Sequence, residues 1–189
     1  VSNICLGTWP IGGGMGAIEQ KDAIDAIHAS IDSGINFLDT AQMYFDSEYI
    51  LGKAIKGKRN KIILASKLSS WKNINDIEKA LENSLKNLQT DVIDLYQIHS
   101  WQESIPMEDT VSKLLELKEK GYFKYLGVSN FSAKQIEKMN KFSGNQIISS
   151  QPHFSILFRH SEKEIIPQSH SLGIGSIVYS PIARGLLSG

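Results

Sequence analysis

The stretch Asn36-Phe37-Leu38-Asp39-Thr40-Ala41-Gln42-Met43-Tyr44 joins a short apolar run to a carboxylate and a phenol. A run of this length and character reads as a strand buried on both faces, the strand type of parallel sheets. Taken from Ile35 to Asp39, it delivers its last side chain to the rim of the sheet. Tyr44 follows a few residues on, near enough to curl back beside Asp39. Two readings of the pair stand at this point: an acid/base centre, or an aspartate capping the next helix with a tyrosine packed under the loop.

Outward from this stretch the same unit recurs. Upstream, Val1 to Gly7 is expected as a strand. The glycine-rich Gly12-Gly13-Gly14-Met15-Gly16 is expected as an open, flexible loop, because it lacks the spacing of a dinucleotide fingerprint. Ala23, Ile24, Ile27 and Ile31 recur at helical spacing, with Gly34 as the stop. Downstream, Ser47 to Ile55 reads as a short helix, Lys61 to Lys67 as a strand, and Ile74 to Leu88 as an amphipathic helix through Ile77, Leu81, Leu85 and Leu88. Strands at Val92 to His99, Tyr125 to Ser129, Gln146 to Gln151 and Ser176 to Ser180 then alternate with helices at Val111 to Lys120, Ala133 to Met139 and Glu162 to Leu172.

Seven short apolar strands joined by helical crossovers require a parallel sheet with its helices outside. The strand ends carry Trp9, Asp39, Lys67, His99, Ser129 with Asn130, Gln151, and Tyr179 with Ser180. One functional side chain per strand end fits a (β/α)₈ TIM barrel, whose active site gathers on the loops after its strands, better than an open doubly wound sheet with a single crevice. Seven strands are one fewer than closure needs. The chain is therefore expected to be truncated after the seventh strand, with the last βα unit beyond Gly189.

The chain has 189 residues, 41% of them hydrophobic, which suits one domain with a sizeable core. Its 20 basic and 20 acidic side chains cancel, so no global field draws in nucleic acid or a membrane surface. The single cysteine, Cys5, excludes an intrachain disulfide and reads as a buried thiol of a cytoplasmic protein. No transmembrane-length run, signal peptide pattern or metal-ligand set stands out.

Lys67 ends its strand where alternation points it into the mouth that Asp39 lines, and a buried lysine needs such a partner. The ammonium is expected to lower the pKa of Tyr44 from its reference near 10, making the phenol a proton donor near neutral pH. His99 is placed to donate a hydrogen bond to a substrate oxygen or to relay its proton.

The chain resembles the aldo-keto reductases along nearly its whole length. The resemblance is carried by Gly7-Thr8-Trp9, by Gly34 to Ala41 with Tyr44, by Ser47-Glu48 with Leu51-Gly52, and by Ala65-Ser66-Lys67. Asp91 to His99, Gly127-Val128-Ser129-Asn130-Phe131, Gln151-Pro152 and Tyr179-Ser180-Pro181 with Gly185 and Leu187 follow in the family's order. It implies a single barrel domain over 1–189 and a catalytic tetrad of Asp39, Tyr44, Lys67 and His99, with Tyr44 the general acid for reduction of an aldehyde or ketone. It also implies NADP, or NAD, bound across the barrel mouth. Ser129, Asn130 and Gln151 would hold the carboxamide and Tyr179 would stack on the nicotinamide. Ser180, Gly185 and Leu187 would form the pyrophosphate loop through backbone N–H groups freed by glycine. Thr8 and Trp9 would line the cofactor and substrate side, and Trp9, Phe45, Trp71 and Trp101 are candidates for an apolar pocket wall. The rival reading is a non-enzymatic nicotinamide-sensing subunit like the family's ion-channel β subunits. A Schiff-base enzyme using Lys67 is disfavoured, because Asp39 would keep that lysine protonated.

Overall fold

Alternation along each strand sorts its side chains between two environments, and along Phe37–Asp39, Ile63–Leu68 and Ile93–Ile98 both are buried. The computed structural model describes residues 1–103 and 105–189. Its strands are β1 (Cys5–Gly7), β2 (Phe37–Asp39), β3 (Ile63–Leu68), β4 (Ile93–Ile98), β5 (Phe123–Ser129), β6 (Ile147–Gln151) and β7 (Gly175–Ser176). They lie in chain order, and every neighbouring pair is parallel. The crossovers carry α1 (Gln20–Asp32), α2 (Ser47–Ala54), α3 (Ile74–Leu88), α4 (Met107–Glu119), α5 (Ala133–Phe142) and α6 (Ile165–Ser171). The (β/α)₈ expectation is met over seven strands, with β1 and β7 as the two sheet edges.

The outer face of the sheet packs on the helices through Leu38, Leu64, Tyr96, Val128 and Ile147, against Ile27, Leu51, Leu81, Leu114 and Ile136. The inner face holds a much smaller apolar set, Phe37, Ala65 and Leu95, flanked by Cys5, Ile63 and Ile177. A buried Leu or Ile contributes about 1.5–3 kcal/mol. Nearly all of these residues sit in the outer layer, so that layer carries the fold and the inner face is free to hold polar groups. Two residues beyond the inner apolar set on the same strands come Asp39, Lys67 and Gln97, on the same face by the pleat.

Several boundaries differ from those read in the sequence, for local reasons. β1 begins at Cys5 rather than Val1, and α4 starts at Met107, immediately after Pro106. α6 starts at Ile165, not Glu162, because Pro167 stands three residues into it and its ring would clash with the carbonyl four residues back. The last strand is reduced to Gly175–Ser176, with Tyr179 making only an isolated bridge to His153.

In the β2–α2 loop, Phe45 adopts φ 48°, a left-handed conformation that costs a bulky L-residue about 1–2 kcal/mol. It is also largely exposed, so it recovers little by burial. Phe45→Gly is expected to raise stability by about 0.5–1 kcal/mol in urea unfolding, the relieved strain less the extra unfolded-state entropy of glycine. An unchanged or lower midpoint would show that the loop bears no strain there.

Candidate active site

Lys67 is completely buried near the end of β3. An ammonium removed from water needs a partner for each of its three protons. The structure supplies Asp39 Oδ2 at 2.5 Å, the carbonyl of Thr40 at 3.0 Å and the phenol oxygen of Tyr44 at 3.5 Å. Burial alone would push the ammonium's pKa down, but the charges and hydrogen bonds of Asp39 and Tyr44 more than offset it and leave it raised. Lys67 is a fixed cation, and the carboxylate, ammonium and phenol foreseen from the sequence do meet.

Asp39 is also buried, and its second oxygen is solvated by protein. Oδ1 accepts from Gln97 Nε2 at 3.0 Å and from Gln151 Nε2 at 3.1 Å. Sequence reasoning missed Gln97. The available signal was its place two residues before His99 on the same strand, which by alternation puts both on the inner face.

Tyr44 corrects an expectation. Burial pushes the phenol up, the charge of Lys67 opposes this, the charge of Asp39 adds to it, and the result lies above the usual value near 10. Tyr44 therefore carries its proton throughout the neutral range. His99 meets its ring edge to face, with centroids 5.5 Å apart. Burial, reinforced by the Lys67 cation and only partly opposed by Asp39, pulls the His99 pKa down to about 4. The imidazole is neutral at physiological pH. This depression favours the folded state above the unfolded value near 6.5, and that stabilisation is lost as pH falls through about 4.

The residues expected around a nicotinamide are adjacent, but largely bonded to one another. Ser129 Oγ donates to the Gln151 carbonyl at 3.0 Å, and Asn130 Nδ2 donates to the His99 carbonyl at 2.9 Å. The Tyr179 hydroxyl donates to Asn130 Oδ1 at 2.9 Å. Gln151 directs its two N–H donors at Asp39 Oδ1, 3.1 Å away, and Gln97 Oε1, 3.5 Å away, which leaves Oε1 of its amide to meet a carboxamide. The Tyr179 ring stacks on His153, centroids 4.9 Å apart, and His153 stacks in turn on Phe158 at 4.1 Å.

Two sets of groups expected to face the cofactor are engaged within the chain. The N–H groups of Gly185 and Leu187 are not free: both donate to the Ile182 carbonyl, at 3.1 and 3.2 Å, closing the loop on itself. Thr8 does not line the site, being fully buried with its hydroxyl bonded to the Asp39 carbonyl and to Ser47.

A cavity of about 470 Å³ opens beside Tyr44, walled by Trp9, Gly13, Gly14, Met43, Phe45 and Arg184. The Arg184 guanidinium lies 5.2 Å from the Trp9 ring centroid and has no carboxylate within salt-bridge reach among the described residues. Nothing in the sequence pattern singled it out. Trp71 and Trp101 stand apart from this cavity, packed on each other and, through Trp101, on Phe131. The glycine loop is packed at two of its positions: a Cβ on Gly12 would lie 1.9 Å from the Tyr44 carbonyl oxygen, and one on Gly14 would lie 2.4 Å from the Trp9 ring, while Gly13 and Gly16 have room around them. Gly12→Ala is expected to displace Tyr44, at an overpacking cost of about 1–3 kcal/mol and at least about tenfold in any turnover that depends on it. Gly7→Ala, whose Cβ meets nothing within 4 Å, is the matched stability control. Equal behaviour of the two variants in thermal unfolding and assay would refute the contact.

A family model described as "Aldo/keto reductase family" matches residues 3–189. The aldo-keto reductase YhdN of Bacillus subtilis (strain 168) is 41% identical over 202 residues, covering 100% of this chain and 60% of that protein. The chain thus spans little more than half the length of this curated relative. Among solved structures, the thermostable aldo-keto reductase Tm1743, in complex with epalrestat, superposes with a TM-score of 0.92 at 32% identity, over 99% of this chain and 71% of that one. An aldo/keto reductase from Klebsiella pneumoniae, in complex with NADP and acetate, does so with 0.91 at 31%, over 99% and 67%.

Proposed function

This chain belongs to the aldo/keto reductase family, and we propose that it reduces aldehydes or ketones to alcohols by hydride transfer from NADPH, with Tyr44 as proton donor. The observation that carries this reading is the fully buried Lys67, bonded at once to Asp39 and to the phenol of Tyr44. A cation held there stabilises the phenolate that forms when the proton leaves, and so favours the transition state over the ground state. Lys67 itself, protonated and fully bonded, is no nucleophile.

The residues present fit the cofactor. Tyr179 offers a planar ring already backed by His153, Gln151 offers its Oε1 to an amide, and Ser180 with Arg184 offers phosphate a hydroxyl and a cation that no carboxylate among the described residues pairs. NADP rather than NAD is supported by the Klebsiella pneumoniae structures with NADP and NADPH. When bound, the nicotinamide supplies the hydride. Tyr44 would then give its proton to the developing alkoxide, Lys67 would hold the negative charge left on the phenol while Asp39 keeps that ammonium in place, and neutral His99 would orient the carbonyl oxygen.

No group of His, Cys, Asp and Glu among the described residues is arranged to hold a metal ion, and no described helix is long and apolar enough to cross a membrane. The reading is tested by following NADPH consumption with a reactive aldehyde such as 4-nitrobenzaldehyde. With His99 neutral above its value of about 4, the rate is expected to show no inflexion near the free-histidine value of about 6.5. An acid limb there would mark a protonated imidazole as the working form.

A further inference from the structure

A polar chain reaches His99 from behind the catalytic centre. Gln42 is anchored by Nε2 on the Ala80 carbonyl at 2.7 Å, with Ser84 Oγ and Tyr96 Oη each at 3.1 Å. Its Oε1 accepts from the Ser69 N–H at 3.0 Å, and the Ser69 hydroxyl lies 3.1 Å from His99 Nδ1. The His99 backbone is pinned as well. Its N–H donates to Leu68 and its carbonyl accepts from Asn130, both at 2.9 Å. With the backbone and one ring nitrogen held, the imidazole has one orientation.

We propose that Ser69 is a positioning residue that fixes His99 as the Nε2–H tautomer, so that the imidazole meets a carbonyl oxygen as a hydrogen-bond donor and not as an acceptor or proton relay. The argument is a count of protons. The Ser69 hydroxyl has one: with a proton on Nδ1 the hydroxyl would accept at 3.1 Å and have the Lys67 carbonyl at 3.5 Å to donate to, whereas with Nδ1 bare it donates at 3.1 Å. The longer separation is at the edge of hydrogen-bond geometry, so the proton goes to Nδ1. A neutral imidazole that accepts at Nδ1 carries its own proton on Nε2. Burial beside the Lys67 cation excludes the doubly protonated ring in the neutral range. The use of this donor rests on the carbonyl-reduction reading. The tautomer itself does not.

Long-range proton–nitrogen spectra of the ¹⁵N-histidine-labelled full chain at neutral pH test the assignment, with His99→Gln identifying the resonances. Nε2 is expected as a protonated nitrogen and Nδ1 as an unprotonated one. The reverse pattern overturns the proposal whatever the activity. In Ser69→Ala the two tautomers are expected to mix and kcat to fall about tenfold with KM little changed, the worth of one neutral hydrogen bond, while Ser69→Thr restores both. A Ser69→Ala protein that keeps the unmixed Nε2–H pattern also overturns it. If the parent reduces no aldehyde, the functional reading fails, and the spectra of parent and Ser69→Ala still decide the tautomer.

Discussion

Tyr44→Phe is expected to keep the fold and the cofactor while turnover drops by about 10²–10⁴-fold, the usual contribution of a positioned general acid. The ring is retained, so its edge-to-face contact with His99 at 5.5 Å survives. Among the described residues the phenol makes no hydrogen bond beyond the one to Lys67 at 3.5 Å, so little packing depends on the oxygen. What disappears is the one protonated group held against a buried cation. A folded Tyr44→Phe protein that binds NADPH and reduces 4-nitrobenzaldehyde at near the parent rate would make Tyr44 a packing residue.

Lys67→Met is expected to have the largest effect on stability. It leaves Asp39 as a buried carboxylate without its cation, and breaking a buried pair from one side costs about 3–5 kcal/mol. The amides of Gln97 and Gln151 still solvate Oδ1, which places the loss toward the lower end. The phenol pKa should also rise further, because the one charge that pulls it down is gone. Asp39→Asn combined with Lys67→Met removes both charges, and a recovery of the urea midpoint relative to Lys67→Met alone would identify the unpaired carboxylate as the cause. If Lys67→Met alone unfolds at the parent midpoint, the pair carries no stability.

Much of this site was legible because strand periodicity is strict. An apolar run ending in Asp39 and another ending in Lys67 place both side chains on one face of a parallel sheet, and the family resemblance then orders Tyr44 and His99 around them. What the sequence concealed depends on distances it does not encode. The balance between burial and a cation 3.5 Å away sets the Tyr44 phenol above its usual value rather than below it. Dense glycine reads as freedom, yet Gly12 and Gly14 are there for close approach to Tyr44 and Trp9. Gln97 and Ser69 escaped notice because neutral polar residues carry no pattern of their own. Their roles follow only from the atoms they touch. The loop from Ser180 to Ser188 closes on its own carbonyls, a conformation that glycine content alone does not predict.

The central claim is that this centre moves a hydride and a proton onto a carbonyl, and isotope transfer tests it most directly. The full chain is incubated with NADPH deuterated at the transferring C4 position and with 4-nitrobenzaldehyde, and the alcohol is examined by mass spectrometry. The account predicts one deuterium on the carbinol carbon of the parent's product and almost no product from Tyr44→Phe. A parent protein that binds NADPH yet yields no deuterated alcohol, or equal yields from parent and Tyr44→Phe, would contradict it.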